Sequence, residues 1–427
     1  MKYRHPRSFP SNGSISIPLF SAIFHAILSL TWSIVRARSQ EGIEAAVKVM
    51  QSGRLFRYCA TSAGTSYAAA AEEAFSELVE LKYAVGVNSC SSAILLGLMA
   101  VGVEAGDQVL TNGFTFTALP STIMRLGAEP VLVETAGDWT MDLADLEAKA
   151  AANPKAKVLL LSHMRGKVAD MNEVVALCER HGLTLVEDCA HGCGVKFEGK
   201  PLGSHGAVAA YSTQSDKVIN SGEGGFVCTN NDAMAAKLIY WSGAYERRYD
   251  KHAVRPSDEL CEEAMSTSPN LSMRMTEVSA AMMLPLIRNL ESRVEKYNTR
   301  HATVVAKMRE VAGDRIVVPP IDPRVRPVGD HLNFLLHEDT TDAQNKLFRT
   351  TCVEMGVPVS WFCSPVNCRW HVNWRQFGAP EFDLPNTDAY LRVGYDLKLP
   401  PRFEDEDFEH LAHVIGYAAR VAEALDE

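Results

Sequence analysis

The sequence predicts an α/β protein: a largely parallel sheet flanked by helices, with a smaller α+β domain at the C-terminal end. Three observations carry that reading. Short, mostly apolar runs recur from about residue 75, separated by helical stretches, the pattern of strands buried on both faces. Small or polar residues stand at the ends of the first five runs, where open α/β sheets hold their ligands. A proline-rich stretch, "VVPPIDPRVRP", then separates this region from a second set of elements.

Taken in order, the chain opens on "SISIPLFSAIFHAILSLTWSIV" (14–35), which carries no formal charge and has bilayer-spanning length. Pro18 suits a helix start, and Leu19, Phe20, Ile23, Phe24, Ile27, Leu28 and Ile34 share one helical stripe. A one-sided stripe favours a helix packed on protein or a dimer arm. Membrane association and a cleaved signal stay open. "YAVGVNS" reads as a strand, followed by the helical "SAILLGLMAVGV". "DQVLTNG", "EPVLVET" and "AKVLLLSH" follow as strands, then a helix over 172–181. "LTLVEDCA", "GAVAAYST" and "GGFVCTN" complete the series. The first five strands end at Asn88–Ser89, Asn112–Gly113, Glu134–Thr135, Ser162–His163 and Glu187–Asp188. After about 275 a long helical region serves as connector, "HLNFLLHED" is a strand, and the end is an amphipathic helix that opens on acids. The expected division is an N-terminal helical extension (1–40), a large domain (41–295) and a small domain (296–427).

The 427 residues are 47% hydrophobic and 22% charged, an ordinary globular balance. The net charge of −10 leaves no basic excess to neutralise phosphates, so no nucleic-acid partner is expected. The ten cysteines form no CxxC pair and no zinc-type spacing with histidine, although Cys189/Cys193 and Cys363/Cys368 lie close. No metal site and a reducing, cytoplasmic setting are the expectation.

The chemistry centres on "YSTQSDKVINSGEGG" (211–225), where Lys217 precedes a glycine cluster. It is either a surface lysine beside a hairpin or one that holds a cofactor covalently. Four features bear on the choice, each with a plain alternative. "VNSCSSA" follows a strand and opens a helix, so its amides and the Ser89, Ser91 and Ser92 hydroxyls either hold a phosphate or merely cap. Asp188 ends a buried strand, and either meets a cation there or caps the next loop. Ser212 is a second phosphate hydroxyl or a loop hydrogen bond. "SGEGG" is a close backbone approach or a hairpin turn. Together, a lysine for an imine, an acid for a ring nitrogen and a phosphate cradle fit pyridoxal 5'-phosphate (PLP).

On these residues the chain resembles the DegT/DnrJ/StrS family of PLP-dependent aminotransferases, of fold type I. The matching stretches include "VGVNSCSSAILL", "HGLTLVEDCAHGCG", "GEGGFVCTN" and "MRMTEVSAAM", in consistent order over roughly 55 to 290. The resemblance implies that Lys217 carries the cofactor and shuttles a proton, and that Asp188 pairs with the ring nitrogen. It implies stacking by Phe116, phosphate contacts from Cys90, Ser91 and Ser212, and His191 at the ring's 3-oxygen, where the family usually has glutamine. A further phosphate contact is expected across a homodimer interface, from Ser272 or nearby Asn270. An amino-acid donor, glutamate or glutamine, and a keto acceptor in amino-sugar or secondary metabolism are the implied small-molecule partners.

The departures bear on substrate. Family members usually have an apolar or aromatic residue at Arg165 and a neutral one at Lys167, within "SHMRGKVADM". Arg165, with His163, is the candidate substrate contact, a fork for a carboxylate or phosphate; it also reads as a surface loop arginine. "NCRWHVNWRQFG" (367–378) either lines the substrate mouth or forms a turn with aromatic anchors. Elimination, replacement or carbon–carbon bond formation on the same scaffold, and PLP binding by a regulator without turnover, are the alternative functions.

Overall fold

The computed structural model describes residues 39–399 and 403–426. The apolar segment 14–35 lies outside the described residues. Among them, no helix is long and apolar enough to cross a membrane.

Nine strands precede residue 230: β1 (Tyr83–Val87), β2 (Gln108–Asn112), β3 (Glu129–Val133), β4 (Val158–Ser162), β5 (Thr184–Asp188), the short β6 (Lys196–Phe197) and β7 (Lys200–Pro201), β8 (Val208–Ser212) and β9 (Gly225–Thr229). Five follow: β10 (Ile316–Val317), β11 (Val325–Arg326), β12 (His331–Leu336), β13 (Ser360–Trp361) and β14 (Gly394–Lys398). Seven form the main sheet in the order β1-β9-β8-β5-β4-β2-β3. All pairs are parallel except those of β9, which runs antiparallel to β1 and β8. Every run expected as a strand is one. The parallel members therefore end at one edge, and the β5 and β8 ends carry Asp188 and Ser212 there.

Both faces of the sheet are covered, which is why β1, β4, β8 and β9 are buried throughout. On one face Phe75, from helix Tyr67–Val79, stacks on Phe226 of β9 at 4.1 Å. On the other, helix Cys90–Ala100 packs Ile94, Leu96 and Leu98 with Val186 and Val208. That helix comes close to the sheet at Gly97, where a Cβ would lie 3.0 Å from Val208. The long helical region is two helices, Glu277–Arg288 and Leu290–Ala312, parted at Asn289. The second spans residues 295 and 296.

A four-stranded antiparallel sheet, β10-β12-β14-β13, forms the C-terminal layer. Phe334 of β12 stacks on Tyr395 of β14, and Phe348 meets Tyr395 edge-on. The terminal helix, Asp405–Glu423, carries Asp405, Glu406 and Asp407 in its first turn, at the positive end of its dipole. This layer matters for the site because β12 and β14 present His331, Asp396 and Lys398 toward the main sheet's ligand edge.

Candidate active site

Lys217 sits on the loop joining β8 to β9. Backbone bonds fold that loop back on itself: Thr213 N–H donates to Gly224 O, Ser215 N–H to Gly222 O, and Ser221 N–H to Thr213 O. The glycines are needed for contact as well as conformation. Gly224 has φ 153°, and a Cβ there would meet Thr213 Oγ1 at 2.5 Å. At Gly225 a Cβ would lie 2.9 Å from the Cys90 nitrogen, so a side chain would separate β9 from the start of helix Cys90–Ala100. The cluster thus seats the lysine loop against that helix end.

The Lys217 amine points into a cavity of about 710 Å³. Its Nζ lies 2.9 Å from His191 Nε2. Burial pushes the lysine down to about 8, helped by the nearby Arg165 and Arg369 cations and opposed by Cys90 and Asp188. Burial and the Lys217 charge push His191 well below its ordinary range, so the imidazole is neutral and accepts from the ammonium.

Asp188, 4% exposed, faces the same cavity. Its carboxylate accepts from the Ser162 hydroxyl at 2.9 Å, from Ala190 N–H at 3.0 Å and from the Cys90 thiol at 3.8 Å. Burial raises its pKa against those bonds and the more distant Lys217 charge. Among the described residues no cation pairs with it directly, so the expected cation is not one of their side chains. A buried carboxylate facing open space suits a protonated ring nitrogen.

Helix Cys90–Ala100 begins at this cavity. Ser89 caps it, taking the Ser92 N–H at 3.1 Å, which leaves the Cys90 and Ser91 amides without an acceptor inside the helix. Ser91 and Ser212 line the cavity beside them, and Phe116, 41% exposed, forms another part of the wall. The residues therefore fit PLP: amides and hydroxyls for its phosphate, Asp188 for its ring nitrogen, Phe116 for a ring face and Lys217 for its aldehyde. When bound, PLP supplies that aldehyde and a cationic ring that draws electrons from a substrate's α-carbon. Cys90, Ser91, Phe116, Asp188, His191, Ser212 and Lys217 all line one cavity.

Arg165 also lines it, and the surface-loop reading does not hold: the side chain is 8% exposed. Its fork is already engaged, with Nη2 donating to Asp396 at 2.6 Å and Nη1 lying 3.0 Å from His331 Nε2. Its backbone has φ 58°, a rare conformation for a non-glycine residue. His163 lies elsewhere. Its Nε2 meets Glu187 at 3.0 Å, and Glu187 also accepts from the Gly203, His205 and Gly206 amides. This arrangement pins the 203–206 turn beneath the sheet. Asn270 and Ser272 do not line the cavity of their own chain; Ser272 accepts from Arg274 at 2.6 Å.

Several lining residues were not singled out from the sequence: Gln214, Asp216, His331, Asp396 and Lys398. Lys398 donates to Asp216 at 2.5 Å, tying β14 to the lysine loop. Arg369 realises one of the readings of 367–378. It lines the cavity, with its guanidinium 5.9 Å from the Phe116 ring centre, and its Nε has no partner. Its aromatic neighbours are anchors instead: Trp370 donates to Asp388 and Trp374 to Cys368 O.

A lysine and a carboxylate at the ligand edge of a parallel sheet, beside a free helix end, define a PLP enzyme of fold type I. The profile of the DegT/DnrJ/EryC1/StrS aminotransferase family matches residues 38–416; the chain belongs to that family and is a PLP-dependent aminotransferase. It is similar to the spore coat polysaccharide biosynthesis protein SpsC of Bacillus subtilis (strain 168), at 27% identity over 81% of this chain and 87% of SpsC. It matches the pleiotropic regulatory protein of Geobacillus stearothermophilus at 27% identity, covering 78% and 84%. In fold it resembles DesV of S. venezuelae, with TM-score 0.74 at 24% identity over 94% of this chain and 97% of that one. An aminotransferase from Psychrobacter cryohalolentis gives TM-score 0.77 at 20% identity, covering 91% and 99%.

Proposed function

We propose that this enzyme takes an amino group from glutamate or glutamine and delivers it to a keto sugar or related keto acceptor. The reaction serves amino-sugar or secondary-metabolite biosynthesis, in the cytoplasm, by a homodimer with shared active sites. The observation that carries this reading is the cavity itself. Beside Lys217 and Asp188 it is lined by Arg369, whose Nε has no partner, giving room and a cation for an anionic substrate beside the cofactor. The names of relatives agree: SpsC belongs to polysaccharide biosynthesis, and DesI, of similar fold, was crystallised with a TDP-sugar product. Ten free cysteines suit a reducing compartment. The position of Asn270 and Ser272 away from their own cavity suits a role in a neighbouring subunit.

The test is a single-turnover experiment on cofactor-loaded enzyme. Glutamate or glutamine should yield its 2-oxo acid, one per active site, and then stop. Adding nucleotide-linked keto sugars should restart turnover and give an amino sugar by mass spectrometry. Continuous release of ammonia and a 2-oxo acid from an amino acid that carries a leaving group on its β-carbon, without any acceptor, would instead assign elimination. Light scattering reports the dimer, and a weaker cofactor affinity in Ser272→Ala would support the cross-subunit contact.

A further inference from the structure

Behind Arg165 lies a second cavity, of about 150 Å³, where loop 163–170 meets the segment 318–329. Arg165 and His331 stand in the wall between the two cavities and line both. Lys167 lines only the second. Its ammonium lies 5.6 Å from the centre of the Trp139 ring, and no described residue accepts a hydrogen bond or ion pair from it. The Arg165 Nε is likewise buried without a partner.

The acids around this cavity are already engaged. Asp138 accepts from the Thr140 amide and hydroxyl at 3.0 and 2.7 Å. Asp170 caps helix Met171–His181 and pairs with Arg324 at 3.0 Å. Asp322 pairs with the same arginine at 2.7 Å. Asp170 and Asp322 are thus neutralised by Arg324, Asp138 is the one acid whose charge bears on Lys167, and the Arg165 Nε is left without an acceptor. A buried guanidinium Nε without a partner, beside a half-buried ammonium, is costly unless an acceptor fills the space between them.

We propose that this second cavity binds a small oxyanion, a carboxylate or phosphate group, held by Lys167 with Arg165 in the shared wall. Its size admits an ion such as malonate or inorganic phosphate and excludes a sugar nucleotide. The electrostatics agree. Burial takes Lys167 down to about 8, opposed only by Asp138. Burial and the Lys167 charge take His301, across the cavity, down to about 4, so that imidazole adds no positive charge of its own near neutral pH. The proposal does not depend on which amine or keto substrate the enzyme uses.

The test is calorimetric titration of cofactor-loaded enzyme with malonate, acetate and inorganic phosphate, on wild type, Lys167→Met, Lys167→Gln and Arg369→Met. Binding should survive Arg369→Met, which alters only the main cavity, and should weaken by at least about tenfold in both Lys167 variants. Stronger binding of malonate or acetate than of phosphate would assign a carboxylate; the reverse would assign phosphate. A measurement on wild type alone gives an independent readout. At a probe concentration about ten times its dissociation constant, acetylation of Lys167 by acetic anhydride should slow about tenfold, read by peptide mass spectrometry. Binding lost in Arg369→Met but kept in both Lys167 variants, or no binding by any probe, overturns the proposal.

Discussion

Lys217 Nζ and His191 Nε2 lie 2.9 Å apart at the inner wall of the main cavity, a buried amine donating to a buried neutral imidazole. The pair fixes where the amine points, and burial makes it a free base at unusually low pH. Only the neutral amine attacks an aldehyde. The ammonium predominates below about 8 and the free base above it. Covalent loading of PLP into apo-protein should therefore speed up about tenfold per pH unit below 8 and level off above. Stopped-flow absorbance checks this, and a rate constant flat from about pH 6 to 9 would contradict it.

Lys217→Ala should fold normally, because the side chain belongs to a loop and not to either core. It should lose covalent cofactor capture, read by borohydride trapping and mass spectrometry. Transamination should fall by at least about a thousandfold, since both the attachment point and the proton carrier are gone. Retained activity would sink the assignment.

Asp188→Asn keeps the Ser162 and Ala190 neighbours but removes the charge that would hold a proton on the ring nitrogen. A loss of roughly two to four orders of magnitude in kcat is expected, with PLP still bound. Unchanged kcat would mean that the carboxylate only caps the loop after β5.

Arg165 and Arg369 separate structure from substrate. Arg165→Met leaves Asp396, 6% exposed, without its partner, and should destabilise the protein by about 3–5 kcal/mol in urea titrations. Arg369→Met breaks no ion pair seen here and should leave Tm nearly unchanged. It should raise KM for an anionic substrate by about tenfold or more, with less change in kcat. If the two variants exchanged these effects, the cavity mouth would be misassigned.

The fold was largely legible because strand runs such as "KVLLLS" and "GFVCT" are too short and too apolar for anything but buried strands. The positions of Asp188 and Ser91 were legible because local spacing places them at a strand end and a helix start, and that of Lys217 because it stands between Ser212 and a glycine cluster. Arg165 shows where that logic stops. Its chemistry was visible, but its fork is occupied by Asp396 and His331, more than 150 residues downstream. Lys398 carried no local signal either; it reaches the site only because β14 packs its end toward the lysine loop. His163 stands directly after the last residue of β4, close to the strand-end Asp188 in position, yet it is taken by Glu187. Adjacent strand-end residues face opposite ways, and sequence order does not say which one meets the ligand.

The antiparallel β9 also dictates an order of assembly. β1 is an edge strand, and its place in the sheet is given by β9 alone. Helix Cys90–Ala100, which follows β1, packs on β5 and β8 directly, but β1 itself has no ladder partner until Gly225–Thr229 exists. On the ribosome, the β1 ladder and the lysine loop, which is held by bonds to Gly222 and Gly224, both wait for this last stretch of the sheet. Capture of PLP by a nascent chain would therefore mark the moment at which that sheet closes.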